Sequence, residues 1–361
     1  MTTTGDGDTT VTGPSRGGTR TDAPERAGRE SALRRVLTRP GFAAIAGAIV
    51  VGLFFSFYTG SFATPAGVAN WLDPSSTIGI VALPVAMLMI GGEFDLSAGV
   101  MIGSSGLVMG LLAVEFGMNV WAAMVVALLF ALGVGLFNGF LVVRTRLPSF
   151  IVTLGTFFAL QGLNLGVSKL ITNTVRVADI DAAPAYAAPN AILGGQVDVL
   201  GTNIYVAIFW WIGLTALASW VLTRTKFGNW VFAVGGDRVA ARNVGVPVAR
   251  TKITLFMLTS AGGWFVGMIT ALRLTSVQAS EGVGQELIFI VAAVVGGCLL
   301  TGGYGSAFGA SVGALIFGMA ELGIPYAGWN SDWFYAFLGG ILLLAVLINN
   351  LIRRRFSDNP S

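Results

Sequence analysis

WAAMVVALLFALGVGLFNGFLVVRTR, residues 121–146, runs without a charge from Trp121 to Val143 and stops at Arg144 and Arg146. About 20 apolar residues suffice for a helix to cross a bilayer, and Lys or Arg beside a span favours the cytoplasmic side. The same alternation recurs along the chain. Basic residues gather at Arg34, Arg35 and Arg39, at Arg144 and Arg146, between Arg224 and Lys252, and at Arg353, Arg354 and Arg355. If all four clusters lie in the cytoplasm, each gap between them holds an even number of crossings. The gap 41–143 has room for roughly four helices, 147–223 for two and 253–352 for about four. The expectation is an all-α polytopic membrane protein of about ten helices, several short or broken, with both termini cytoplasmic.

Composition points the same way. Of the 361 residues 54% are hydrophobic and 11% charged, against about 25% charge in soluble domains, and mean hydropathy is +0.77. The 50 glycines suit close packing of membrane helices. Histidine is absent and Cys298 is the single cysteine, which argues against a cysteine or histidine metal site and a disulfide framework. The basic excess sits beside the spans, so it marks topology and not a nucleic-acid footprint. The lead, residues 1–39, is polar and should be a disordered cytoplasmic tail. A cleaved secretory signal is not expected, because that lead is long and the run after Arg39 is long enough to span.

Apolar runs fall at 42–58, 77–90, 98–114, 121–143, 149–170, 204–222, 253–272, 287–300, 307–322 and 333–351. Together they make a membrane domain over 40–352, followed by a short cytoplasmic tail at 353–361. Two runs are interrupted. Pro84 and the pair Gly91-Gly92 should break the second, and Glu93-Phe94-Asp95-Leu96-Ser97 follows at once. Carboxylates there should face protein or a water-filled path, although Asp95 and Ser97 also suit the start of the next helix. A second knot, Gly296-Gly297 through Thr301-Gly302-Gly303-Tyr304-Gly305, lies late in the chain. Broken spans in both halves are a transporter signature.

The connection 224–252 carries six basic residues against one acid, Asp237. Within it, Gly235-Gly236-Asp237-Arg238-Val239-Ala240-Ala241-Arg242-Asn243-Val244-Gly245 reads as flexible glycines, an Asp cap, helix formers and a glycine stop, that is, a short surface helix. Its length exceeds that of a tight turn and suits docking of a partner. The segment 171–202, with Asp179, Asp181 and Asp198, reads as a loop on the opposite face. Polar side chains inside apolar spans are pathway candidates: Asn138, Gln161 and Asn164, with Glu93, Asp95 and Ser97 at the inner end and Glu286 near an outer mouth. Amides suit a hydroxyl-rich solute because they donate and accept without fixed charge, and equally suit helix-to-helix hydrogen bonds.

Gly91-Gly92-Glu93-Phe94-Asp95-Leu96-Ser97-Ala98-Gly99 resembles the G-G-x-D-L-S-x-G segment of ribose/xylose-type ABC sugar-importer permeases, with one residue more between Gly92 and Asp95. Ala292-Ala293-Val294-Val295-Gly296-Gly297 and Gly302-Gly303-Tyr304-Gly305-Ser306 are similar to that family's A-V-V-x-G-G and G-G-x-G-S. Thr225, Phe227-Gly228 and Val234-Gly235-Gly236 lead into a helix similar to the one through which such permeases grip their ATPase, but Arg238-Val239-Ala240 stands where they show E-A-A.

The resemblance implies a permease subunit, not an enzyme, that carries a monosaccharide delivered by an extracytoplasmic binding protein. ATP and Mg would sit on a separate cytoplasmic ATPase, for which this chain lacks the G-x-x-x-x-G-K-[ST] loop, so no cofactor is expected here. A second permease copy or paralogue would complete the pathway in the cell membrane. ATPase coupling would rest on Gly228, Asp237, Arg238, Ala240, Ala241, Arg242, Asn243 and Gly245. Two other readings stay open: a permease for a nucleoside, an autoinducer sugar or a branched-chain amino acid, and an ion-coupled secondary transporter, which also uses broken spans.

Overall fold

The computed structural model describes residues 41–357. The basic cluster Arg34, Arg35 and Arg39, and the tail expected over 1–39, lie outside the described residues. Twelve helices dominate: α1 Phe42–Tyr58, α2 Pro65–Ile90, α3 Ala98–Val114, α4 Val120–Thr145, α5 Ser149–Thr172, α6 Val206–Arg224, α7 Lys226–Gly236, α8 Arg238–Asn243, α9 Val248–Leu274, α10 Glu286–Val295, α11 Ala307–Tyr326 and α12 Trp333–Ser357. Six of them, α2, α4, α5, α6, α9 and α11, are long and apolar enough to cross a membrane, and α1, α3, α10 and α12 hold shorter apolar stretches.

Burial sorts these helices into an inner and an outer set. α2, α9 and α11 are largely buried, whereas α4, α5 and α6 are mostly exposed. What the outer helices expose is apolar: Leu129, Phe137, Phe158, Leu163, Ile212 and Trp220 all face outward. A surface of that kind is stable when lipid is the solvent. Small residues let the inner helices touch backbone to backbone. At Gly135 of α4 an added Cβ would stand 2.7 Å from Met257 Cα of α9, so the crossing has no room for a side chain.

The break expected at Pro84 is not there. α2 continues through both Pro74 and Pro84 to Ile90. Each proline removes one backbone donor, and around Pro74 side-chain hydroxyls take up carbonyls: Ser75 donates to Trp71 O at 2.7 Å and Ser76 to Asp73 O at 2.7 Å. Buried in protein, such a helix keeps its course. The expected run 287–300 is also shorter, since α10 ends at Val295.

The two ends of the molecule differ. At one end lie the two glycine-rich knots and the pair α7–α8. At the other, the segment 171–202 is built and not irregular: β1 Arg176–Val177 pairs antiparallel with β4 Val277–Gln278, and β2 Gln196–Val199 with β3 Thr202–Tyr205. This cap is fixed to the end of α9 by Ile180 N donating to Thr275 O at 3.1 Å and Tyr186 Oη donating to Leu272 O at 2.7 Å.

Candidate translocation and docking site

Two knots close their helices in the same way. At the end of α2, Gly92 has φ +81°, and Glu93 N donates to Leu88 O at 3.1 Å. At the end of α10, Gly297 has φ +92°, and Cys298 N donates to Ala293 O at 3.0 Å. Both are six-residue glycine stops that satisfy the last carbonyls of the helix. The knots then meet: Gly303 N donates to Ile90 O at 2.8 Å, and a Cβ on Gly302 would stand 2.8 Å from Gly92 Cα and 2.9 Å from Gly235 O. Gly235 was expected as a flexible opening to the surface helix. It is instead the last turn of α7, wedged against the Ile90 carbonyl and Gly303 N.

α7 and α8 form a bent arm. Thr225 caps α7 by accepting Gly228 N at 3.2 Å. Asp237 caps α8, accepting Val239 N at 2.8 Å and Ala240 N at 3.0 Å. The amides of Ala240 and Val239 hold its carboxyl below the ordinary Asp range. Gly245, with φ +85°, stops the helix. Arg238, Ala240, Arg242 and Asn243 are exposed, but Ala241 packs inward with Val234 and Val248. Ala241 therefore anchors the arm and leaves no space for a partner, because a helix only one and a half turns long needs a buried face to stay docked. Sequence reading missed the arm's apolar tip, Val239 and Val244, exposed at 63% and 79%.

Between the arm and the first knot opens a cleft of about 820 Å³, lined among others by Gly92, Glu93, Arg146, Arg238, Arg242 and Lys252. At its inner wall Lys252 Nζ is paired with Glu93 Oε1, both side chains nearly buried. Among the described residues a second such pair joins Arg273 to both oxygens of Asp73 at 2.8 Å, near the opposite end. Each joins residues far apart in sequence, so no local spacing announced it.

A chain of polar groups carries the first knot into the spans. Phe94 N donates to Ser149 Oγ and Leu96 N to Thr153 Oγ1, both at 3.0 Å. Asp95 Oδ1 accepts Ser97 N at 2.8 Å and Ser97 Oγ at 2.5 Å. Asn138 Nδ2 donates to Ser97 Oγ at 3.1 Å, and Thr156 Oγ1 to Asn138 Oδ1 at 2.6 Å. Ser97 stands at the start of α3 without capping it; its hydroxyl serves the network instead. Ser149, Thr153 and Thr156, three hydroxyls on one face of α5 at i, i+4 and i+7, were legible by that spacing and were missed.

The remaining candidates separate. Asn164 Nδ2 donates to Ser104 Oγ at 3.0 Å and to Ala279 O at 3.3 Å. Gln161 is half-buried on α5. Glu286 is not near the outer end. It opens α10 beside Gly99, the second residue of α3, whereas Val177 and Ile180 of the far cap touch Gly110, about 16 Å further along that helix. The chain between β4 and α10 re-enters the bundle, and that places Glu286 deep.

A multi-pass helical membrane protein in which the glycine stops of α2 and α10 clasp a surface arm is a transport permease. Residues 67–346 match the family described as branched-chain amino acid transport system / permease component, and the chain belongs to that family. It is similar to the xylose transport system permease protein of Escherichia coli strain K12, at 31% identity over 87% of this chain and 92% of that one. It is 32% identical to the fructose import permease protein of Rhizobium meliloti, over 85% and 82% of the two chains. It is also 32% identical to the galactose/methyl galactoside import permease protein of Haemophilus influenzae, over 78% and 86%. No solved structure matches.

Proposed function

We propose that this chain is the membrane subunit of an ABC importer for a monosaccharide, crossing the membrane about ten times with both ends in the cytoplasm. The single observation that carries the reading is the three-way contact of Gly92, Gly235 and Gly302, in a chain whose relatives are named as xylose, fructose and galactose permeases. Through it the arm α7–α8 bears directly on the end of α2 and on the knot that follows α10. A push on Val239, Arg242 and Val244 by a cytoplasmic ATPase, which would hold the ATP and Mg, would reach the end of α2 and the loop that follows α10 through backbone contacts. The exposed arginines Arg238 and Arg242 suit an acidic contact on that ATPase. The cap built on 171–202 would receive a sugar-loaded binding protein, and a second permease copy or paralogue would complete the pathway. Glu93, Asp95, Ser97 and Asn138 would hold the inner end of that pathway in shape and Asn164 a stretch further along it; Gln161 and Glu286 would meet solute.

The test is ATPase activity of the genomically neighbouring ATPase in lipid nanodiscs, with and without this chain, across binding proteins loaded with xylose, fructose, galactose or leucine. Stimulation by one sugar-loaded binding protein is expected. Stimulation by the leucine-loaded protein alone would move the substrate to branched-chain amino acids. Solute uptake driven by an ion gradient without any ATPase would overturn the importer reading.

A further inference from the structure

After β4 the chain does not continue along the cap. It turns down along α3 as consecutive tight turns, with Glu281 N donating to Gln278 O, Val283 N to Ser280 O and Gln285 N to Gly282 O at 3.1–3.2 Å. Gly282 and Gly284 supply positive φ, +75° and +90°. The depth of this stretch follows from its neighbours. The Glu281 backbone lies against Gly103 of α3, and α3 packs with Ala98–Met101 against Gly263 and Ile102 against Gly267 of α9. Gly263 and Gly267 are about 22 Å and 28 Å along α9 from Val248, with about 10 Å or more remaining to Leu274. Residues 281–286 therefore run in the outer half of a helix of 27 residues, about 10 Å or more short of its end, where irregular backbone survives only buried in protein or beside water.

It is not buried. Ser280, Gly284 and Gln285 are exposed and Glu281 half-exposed, and the Glu281 carboxylate has no hydrogen bond or ion pair among the described residues. Glu286 differs, since its Oε2 accepts Gly284 N at 3.0 Å and pins the turn. A free carboxylate and open peptide groups facing lipid would cost several kcal/mol. We infer that residues 279–286 form a water-facing wall of the solute pathway and that Glu281 is a specificity-determining acceptor for adjacent hydroxyls of a polyhydroxylated solute. A carboxylate accepts two neighbouring O–H groups at once, which an apolar or singly hydroxylated solute cannot supply. Asn164, holding Ala279 O at 3.3 Å, is a positioning residue for this wall. The solute class rests on the importer reading above; the wall itself does not.

The experiment uses the full chain in membrane vesicles of both orientations, where buried Cys298 gives a low background. Ser280→Cys and Gln285→Cys are exposed to a charged, membrane-impermeant methanethiosulfonate, beside lipid-facing Leu129→Cys and Leu163→Cys. Labelling at 280 and 285 roughly tenfold or more faster than at 129 and 163 is expected, because the thiolate that reacts exists in water. Equal, slow labelling at all four in both orientations would overturn the wall. Glu281→Gln and Glu281→Ala should then lower uptake of xylose roughly tenfold while labelling at 285 stays unchanged. Wild-type uptake of xylose, fructose and galactose by both variants would overturn the acceptor role. Fast labelling without ATPase stimulation would sink the importer reading and leave the wall standing.

Discussion

Gly303 N donates to Ile90 O at 2.8 Å, so the loop after α10 is hydrogen-bonded to the last carbonyl of α2, 213 positions earlier in the numbering of the chain. Helix carbonyls at a C-terminus need an outside partner, and here the loop after α10 supplies it to α2. The joint is shut by Gly235, whose missing side chain admits the Ile90 carbonyl.

Gly235→Ala should therefore force α7 away from that carbonyl. Overpacking of this kind costs about 1–3 kcal/mol, and the displaced arm should lose ATPase stimulation in nanodiscs. Gly236→Ala is the control, since a Cβ there meets nothing within 4 Å. Thermal unfolding in detergent and stimulated ATPase activity, measured on both variants, check the prediction. Equal behaviour of the two would mean that the contact at Gly235 is slack.

Lys252 and Glu93 are a nearly buried pair, and removal of one partner strands the other. Lys252→Met is expected to cost about 3–5 kcal/mol, with Lys252→Met combined with Glu93→Leu clearly milder, because a buried charge without its partner is worse than an apolar replacement of both. Unfolding midpoints of the two singles and the double decide it. Additive losses would show that the residues do not interact.

The apolar runs and their order were legible because lipid imposes length and composition on each span, and α1, α3, α4 and α5 begin within a residue of their expected starts. The knots were legible too, since Gly92 and Gly297 are needed for φ values that other residues resist. What stayed hidden is tertiary. α2 crosses Pro74 and Pro84 because its neighbours and its own hydroxyls accommodate them, and nothing local says so. Glu93 with Lys252, and Asp73 with Arg273, are pairs closed by folding. Glu281 was overlooked because 279–286 carries no periodicity, although its glycines and carboxylates beside an apolar run were themselves a sign of a broken span.

On the arm, Arg242→Ala and Gly245→Ala should leave the protein folded while lowering stimulated ATPase activity. Gly245 sits at φ +85°, where a side chain costs about 1–2 kcal/mol, confined to the end of α8. Asp237 adds a pH dependence. Its carboxyl is held low by the amides of Ala240 and Val239, so its capping contribution is complete above the ordinary Asp value of about 3.9 and fades only as pH falls through the lower folded value. ATPase coupling should thus be insensitive to Asp237 protonation from pH 5 upward, by about one unit of margin. Asp237→Asn, which still accepts a backbone N–H, should behave as wild type, and coupling lost in that variant would show that the charge itself is used.

The network Asp95–Ser97–Asn138–Thr156 allows two substitutions to be ranked before measurement. Asn138→Leu removes the donor to Ser97 Oγ and the acceptor for Thr156. Thr156 Oγ1 already lies 3.3 Å from Val152 O, and Ser97 Oγ still donates to Asp95 at 2.5 Å, so neither partner is stranded. The loss should be near the ordinary value for a hydrogen bond between membrane helices, about 0.6 kcal/mol and at most about 1.7. Asp95→Ala is different in kind. It leaves both Ser97 N and Ser97 Oγ without their acceptor in a fully buried turn, and each orphaned donor costs about 1–3 kcal/mol. Asp95→Asn keeps one oxygen for both and should fall between wild type and Asp95→Ala in unfolding midpoint. Solute uptake should follow the same order, because the turn aims the start of α3 at the pathway. If Asp95→Ala matches Asn138→Leu in both stability and uptake, the turn does not depend on its carboxylate, and Asp95 has neither a structural nor a transport role.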